Sequence, residues 1–323
     1  MSRALVTGGQ GFIGGHLVRA LLERGDEVAV LDLPGAPGRA LALHGLEGEV
    51  ELIEGDVADP EAAGRAVAGA GTVFHLAAQT LVGPAAADPV GTFRANVEGT
   101  WTVLEAARAA GAGAVVVASS DKAYGPSPEL PYREGQELRP AAPYEGSKAA
   151  ADVISRSYWG SFGLPVGVTR LANVYGGGDL NRSRLVPEAV GACLAGRPPQ
   201  IRSDGSPERD FMHVSDAVAP YLAIESAVLD GPGRGEALNA GTGEPRSVRA
   251  VVDLIAASAA AAGADPVAPE YLGEGVPAGE IDRQFVDSAR LRELTGWAPR
   301  VSLEEGIAEA VAWYRGRPLP TAA

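Results

Sequence analysis

Six short runs rich in β-branched and other apolar residues recur through the first half of the chain, at 4–7, 27–32, 50–54, 72–76, 114–119 and 165–171. Ala- and Leu-rich segments of helical length separate them. Strands alternating with helices predict a parallel sheet covered on both faces. The run AVVVA at 114–118, without polar alternation, fits burial on both sides. After Asn173 the texture turns to Gly, Pro and Arg, and helical patterns return at 186–195, 214–228, 248–261 and 303–314. The expected architecture is α/β: a doubly wound parallel sheet built from 1–172 plus about 214–240, and a smaller α/β C-terminal domain from 173–213 plus 241–323.

Composition narrows the function classes. The 323 residues suit one large unit or two domains. No stretch approaches the roughly 18 to 20 apolar residues that cross a bilayer. The N-terminus, MSRALVTGG, enters a strand at once without a secretory leader, so a cytoplasmic protein is expected. Cys193 stands alone and the four histidines (His16, His44, His75, His213) lack ligand spacing, which argues against a metal site. A net charge of −14 removes the basic surface that nucleic acid needs. An anionic small molecule must then be met locally, by helix termini and a few arginines.

The turn TGGQGFIG, residues 7–14, places Gly8, Gly11 and Gly14 directly after the first strand, opening an apolar helix with Phe12 and Ile13. Glycines let the backbone approach a pyrophosphate, which then lies at the positive end of the helix dipole. The second strand ends at Asp32, 24 residues after Gly8. A carboxylate there accepts hydrogen bonds from an adenosine ribose and repels a 2′-phosphate, favouring NAD over NADP. The sheet is therefore expected to be of Rossmann type. Asp56 and Val57 are expected to close the third strand, at an adenine edge or, for Asp56, as a helix cap.

The segment YEGSK spaces Tyr144 and Lys148 by one helical turn, on one face. A free phenol titrates near ~10, and bringing it to neutrality needs roughly 4 kcal/mol of phenolate stabilisation, which a neighbouring lysine and an oxidised nicotinamide can supply. Tyr-x-x-x-Lys alone is a common accident of helices; behind a dinucleotide turn it gains weight.

Together TGGQGFIG, FHLAAQ (74–79), SSDKAYG (119–125), YEGSK, RLANVYGGGD (170–179), ERDFMHVSDAV (208–218) and TGWAPRVSLEEGIAEAVAWY (295–314) resemble the extended short-chain dehydrogenase/reductase family of nucleotide-sugar epimerases and dehydratases. The resemblance implies that Tyr144 takes the sugar O4 proton while Lys148 holds the nicotinamide ribose, with Ser120 as hydroxyl partner. It implies cofactor contacts at Leu76, Ala77 and Ala78. Substrate contacts follow at Gln79, Asn173 and Arg209, with Leu185 and Val186 at the base pocket. The arginine often found before the Gly-Asp/Glu of the C-terminal domain is missing at 276–280, and Arg283 is the candidate substitute. Arg209 meets a phosphate or is simply solvated. Family members pair through helices such as those holding Val97, Val103 and Leu104, and 149–158, so a homodimer is expected unless these bury in one subunit.

Within the family, a 4-epimerase needs only oxidation, rotation and re-reduction at C4. A 4,6-dehydratase also removes the C5 proton and protonates the departing 6-hydroxyl, using two groups after the strand-5 Ser/Thr. Asp121-Lys122 stands there, resembling CDP-glucose 4,6-dehydratases, and implies Asp121 as acid and a desolvated, neutral Lys122 as C5 base or enolate stabiliser. The expected function is an NAD-dependent nucleotide-sugar 4,6-dehydratase. The rivals are a 4-epimerase, in which both are turn residues, and a non-catalytic NAD-binding regulator.

Overall fold

The structure is a computed structural model that describes residues 2–36, 39–276 and 281–317. In chain order its elements are β1 (Arg3–Thr7), α1 (Phe12–Arg24), β2 (Glu27–Asp32), α2 (Ala40–His44), β3 (Glu51–Glu54), α3 (Pro60–Val67), β4 (Thr72–His75), α4 (Val82–Ala87) and α5 (Pro89–Phe93). A π-helical turn, Arg94–Glu98, leads into α6 (Gly99–Ala110) and β5 (Ala114–Ser120). A 3₁₀ turn, Asp121–Tyr124, precedes α7 (Pro143–Phe162), β6 (Val166–Leu171), β7 (Asn173–Tyr175), α8 (Leu185–Leu194), β8 (Gln200–Ile201), β9 (Glu208–His213) and α9 (Val214–Asp230). The chain closes with β10 (Ala237–Ala240), β11 (Pro245–Ser247), α10 (Val248–Ala261), β12 (Glu270–Tyr271), β13 (Arg283–Gln284), α11 (Ala289–Thr295) and α12 (Leu303–Arg315).

Two compact units result. The first comprises 1–171, 217–240 and 287–297; the second, 172–216, 241–286 and 298–323. Residues 287–297, expected in the C-terminal domain, thus fall in the first unit, where α11 packs on β10. Among the described residues, no helix is long and apolar enough to cross a membrane, and no cluster of His, Cys, Asp or Glu could hold a metal ion.

The first unit holds a seven-stranded sheet in the order β10-β6-β5-β4-β1-β2-β3, parallel throughout. Its central strands are apolar on both faces because helices cover both; Leu5, Val73, Val115 and Val168 are wholly buried against α3 and α6 residues such as Ala66 and Val103. The order reverses between β1 and β4, so a crevice opens beyond their carboxyl ends, where α/β sheets bind ligands. Val103 and Leu104 lie in this core. They cannot contribute to a subunit contact; the outward apolar side chains of α6 and α7 are Trp101, Val153 and Phe162.

In the second unit, α8, α10 and α12 close a core around Val190, Val251, Ile255, Ile307 and Val311. β9 lies between β11 and β13, and its C-terminal half, Phe211 to His213, also pairs with β7 in parallel.

Candidate active site

At the end of β1, Gly8 takes φ +74° and a Cβ there would come within 2.8 Å of the Ala77 nitrogen. A Cβ on Gly14 would collide with the Gly8 carbonyl oxygen. Only glycine permits these approaches. Gly11 is the N-cap of α1 and offers no side-chain cap, which leaves the first-turn N–H groups of Phe12 to Gly14 for an anion. Asp32 lies alongside: its carboxylate accepts the Gln10 and Leu33 N–H groups, both at 2.9 Å, and burial raises its pKa. The glycine cradle and this carboxylate fit a dinucleotide with a free ribose diol. Asp56 and Val57 do not close the third strand, which ends at Glu54; Asp56 instead turns the chain by accepting the Ala58 N–H at 2.9 Å, and Val57 is buried.

Leu76, Ala77, Ala78 and Gln79 follow β4, half-buried, and are clamped by residues the sequence did not single out. Thr7 Oγ1 accepts the Leu76 and Ala77 N–H groups at 3.2 and 3.1 Å. It lies 2.8 Å from His75 Nδ1, while His75 Nε2 is 3.1 Å from Thr100 Oγ1, whose proton goes to the Asn96 carbonyl. Thr100 having donated its proton, Nε2 carries the imidazole hydrogen and Thr7 donates to Nδ1. Burial, with Lys148 nearby, lowers the His75 pKa to about 3, so the ring stays neutral. Asn96 grips Gln79 at both ends, accepting its N–H (2.7 Å) and donating to its carbonyl (2.9 Å), and donates also to Ser147 Oγ (2.8 Å). Asn96 sits in the π-helical turn, a distortion frequent at functional sites. The polar pair Asn96 and Thr100, one helical turn apart in an apolar helix, is the sequence signal that could have found it.

The helix α7 starts at Pro143, and Glu145 reaches back to the Ala141 and Ala142 N–H groups. Pro at the first position and the Glu145 carboxylate on the backbone N–H groups before it explain the helix start, and with it the placement of Tyr144, Lys148 and Asp152 at four-residue intervals on one face. Tyr144 and Lys148 are buried, 8% and 6% exposed. The Lys148 ammonium donates to the Ala118 carbonyl at 2.9 Å, and Ser119 Oγ donates to the Lys148 carbonyl at 3.2 Å, stapling α7 to the end of β5. Burial pulls the Lys148 pKa down to about 8.

That shift has a testable sign. Between pH 8 and 10.5 the unfolded chain keeps a proton that the folded chain has lost, so wild-type stability rises with pH relative to Lys148→Met. The stability difference between the two proteins is expected to change by about 3 kcal/mol across that window. Denaturant titrations at pH 7 and 10 check this; a difference independent of pH contradicts it.

Strand β5 runs one residue further than expected and ends on Ser120, which caps the 3₁₀ turn by accepting the Lys122 N–H at 3.2 Å. Ser120 Oγ also donates to Asp121 Oδ1 at 3.1 Å. Asp121 is 2% exposed, an unusual place for a carboxylate in a surface turn. Lys122 is half-buried. Lysine occurs only at positions 122 and 148 in the whole chain, against 25 arginines. Arginine keeps its proton under ordinary conditions, whereas an amine can lose it.

In the second unit, Asn173 opens β7, and its amide nitrogen is buried without a hydrogen-bond partner among the described residues. Leu185 and Val186 form the first turn of α8, which no side chain caps. Val186 is buried in the core, so it offers a backbone N–H and not a side chain. Arg209 donates to the Glu208 and Asp282 carbonyls at 2.9 Å. Arg283, one strand away on β13, pairs with Glu208 at 2.6 Å. The adjacent 277–280, expected to lack the usual arginine, lie outside the described residues.

The sequence matches the NAD dependent epimerase/dehydratase family over residues 4–241. It is 38% identical to a UDP-glucose 4-epimerase of Mycolicibacterium smegmatis, over 98% of this chain and 99% of that one. It is 36% identical to a dTDP-glucose 4,6-dehydratase of Streptomyces griseus, over 96% and 93%. A Streptomyces venezuelae dTDP-glucose 4,6-dehydratase solved with NAD bound superposes with a TM-score of 0.87 at 32% identity, covering 97% of each chain.

Proposed function

Because the chain belongs to the NAD dependent epimerase/dehydratase family, we propose that it is a nucleotide-sugar 4,6-dehydratase, converting a nucleoside-diphosphate hexose to the 4-keto-6-deoxy sugar. One observation carries the choice: Asp121, a buried carboxyl, and Lys122, one of two lysines in the chain, stand together beyond Ser120. Epimerisation uses neither group.

Held by the glycine turn and Asp32, NAD supplies a hydride acceptor for C4 and the donor that completes the reaction. Tyr144 takes the C4 hydroxyl proton, Ser120 hydrogen-bonds the same oxygen, and Lys148 orients the cofactor's ribose. The C4 ketone acidifies C5–H. Lys122, neutral, takes that proton; Asp121 protonates the 6-hydroxyl, the C6–O bond breaks, and water leaves as the C5–C6 double bond forms. C6 then receives the hydride that left C4, C5 regains its proton from Lys122, and the proton left on Tyr144 restores Asp121, so water alone is lost. In the second unit, Asn173, Arg209, Arg283 and the first turn of α8 serve the nucleoside diphosphate.

A 4-epimerase is favoured by the 38% identity to one over nearly the whole chain. Incubation with a panel of nucleotide sugars separates the two. A 4-keto-6-deoxy product supports dehydration; a C4 epimer with its 6-hydroxyl intact overturns it.

The protein is also proposed to act as a homodimer. Trp101, Val153 and Phe162, 43 to 58% exposed on two helices that pack together, present apolar area of the kind a subunit contact covers. Sedimentation at twice 32.9 kDa is expected, and a monomer at micromolar concentration contradicts it.

A further inference from the structure

A chain of buried polar side chains joins the turn that carries Asp121 to the helix that carries Tyr144 and Lys148, apart from any group assigned to substrate. Tyr124, the last residue of the 3₁₀ turn, is 1% exposed. Its hydroxyl accepts from Arg170 Nη1 and donates to Asn239 Oδ1, both at 2.7 Å. Its ring stacks on Tyr132 at 4.7 Å, and the Arg170 guanidinium carbon lies 4.8 Å from the ring centre. Arg170, on β6 and 1% exposed, donates from Nε and Nη2 to the two oxygens of Asp152 at 2.8 and 3.1 Å. Asp152 is fully buried on α7, one turn beyond Lys148.

A buried ion pair of this kind is poor evidence for stability, since desolvating two charges offsets much of their attraction. What a bidentate fork does supply is a fixed distance and angle. Here it spans β6 and α7, and the Tyr124 hydroxyl extends it into the four-residue turn. We propose that Tyr124, Arg170 and Asp152 are positioning residues that hold Asp121 and Lys122 in register with Tyr144, so that oxidation at C4 is followed by elimination and not by escape of the 4-keto hexose. This rests on the dehydratase reading.

The test is the partition of each turnover between 4-keto-hexose and 4-keto-6-deoxyhexose, read by quenched single-turnover mass spectrometry on the full-length protein with NAD and the sugar nucleotide that wild type consumes. The ratio is internal to each turnover and independent of how much of a variant folds. Tyr124→Phe keeps the ring and removes only the hydroxyl; Arg170→Lys keeps the charge and removes the fork. Both are expected to shift the ratio about tenfold toward the 4-keto-hexose. Ser155→Ala, which deletes another buried hydroxyl of α7, is expected to leave it unchanged. If wild type eliminates and both variants keep its ratio, or if Ser155→Ala shifts it equally, the positioning role is overturned while the dehydratase reading stands. If wild type yields only a C4 epimer, the reading fails and this inference with it.

Discussion

Tyr144→Phe is expected to lower turnover by about a thousandfold, within the range that removal of a positioned acid/base group produces. The phenyl ring retains the packing of a side chain that is 8% exposed, so the fold and the binding of NAD should survive. Neither the cradle of Gly8 to Gly14 nor Asp32 is touched. The loss should therefore fall on kcat, with KM for the sugar nucleotide changing only a few-fold, because the deleted proton transfer belongs to the transition state. Steady-state kinetics together with NAD binding by fluorescence check this. A variant within tenfold of wild type removes Tyr144 from the chemistry.

Lys122→Arg carries the second large effect. The substitution puts a permanently protonated side chain of similar reach in the 3₁₀ turn and so removes the capacity to take a proton. If Lys122 is the C5 base, elimination is expected to fall about a hundredfold or more. Reduction of NAD by the sugar at C4, which needs Tyr144, Ser120 and Lys148, should persist. Enzyme-bound NADH is then expected to accumulate, with absorbance rising on substrate addition and no 6-deoxy product following. Asp121→Asn is expected to give the same pattern, since an amide cannot protonate the leaving hydroxyl. Wild-type rates of product formation in Lys122→Arg would make Lys122 an ordinary turn cation and return the protein to the epimerase reading.

The parts of this site legible in the sequence are those whose geometry is local. The glycine spacing of 7–14, Asp32 at the end of β2, and Tyr144 with Lys148 one turn apart each follow from a strand or helix period. The hidden parts are long-range. Thr7, His75, Thr100 and Asn96 form one buried chain, yet Thr7 lies 68 residues from His75 and Asn96 lies 51 from Ser147. A lone histidine on an apolar strand gives no sign of which hydroxyls will meet it. Asp152 and Arg170 look like surface charges of opposite sign until β6 is placed beside α7. The third strand ends at Glu54, where the run 50–54 places its end, and Asp56 and Val57 lie beyond it because the Asp56 side chain turns the backbone away. The return of 287–297 to the first unit depends on Asp287, whose N–H bonds the Tyr132 carbonyl and whose own carbonyl accepts from Asn239, contacts with no local signature.

The central claim is that Asp121 and Lys122 expel water. Its most direct test is the product formed by wild-type protein from a nucleoside-diphosphate hexose in deuterated water, read by proton and carbon NMR. The expected spectrum shows a 6-methyl group, a C4 ketone and one solvent deuteron at C5, because the proton passes through Lys122 and exchanges there. A C4-inverted hexose that keeps its 6-hydroxymethyl group and its C5 proton would contradict the account.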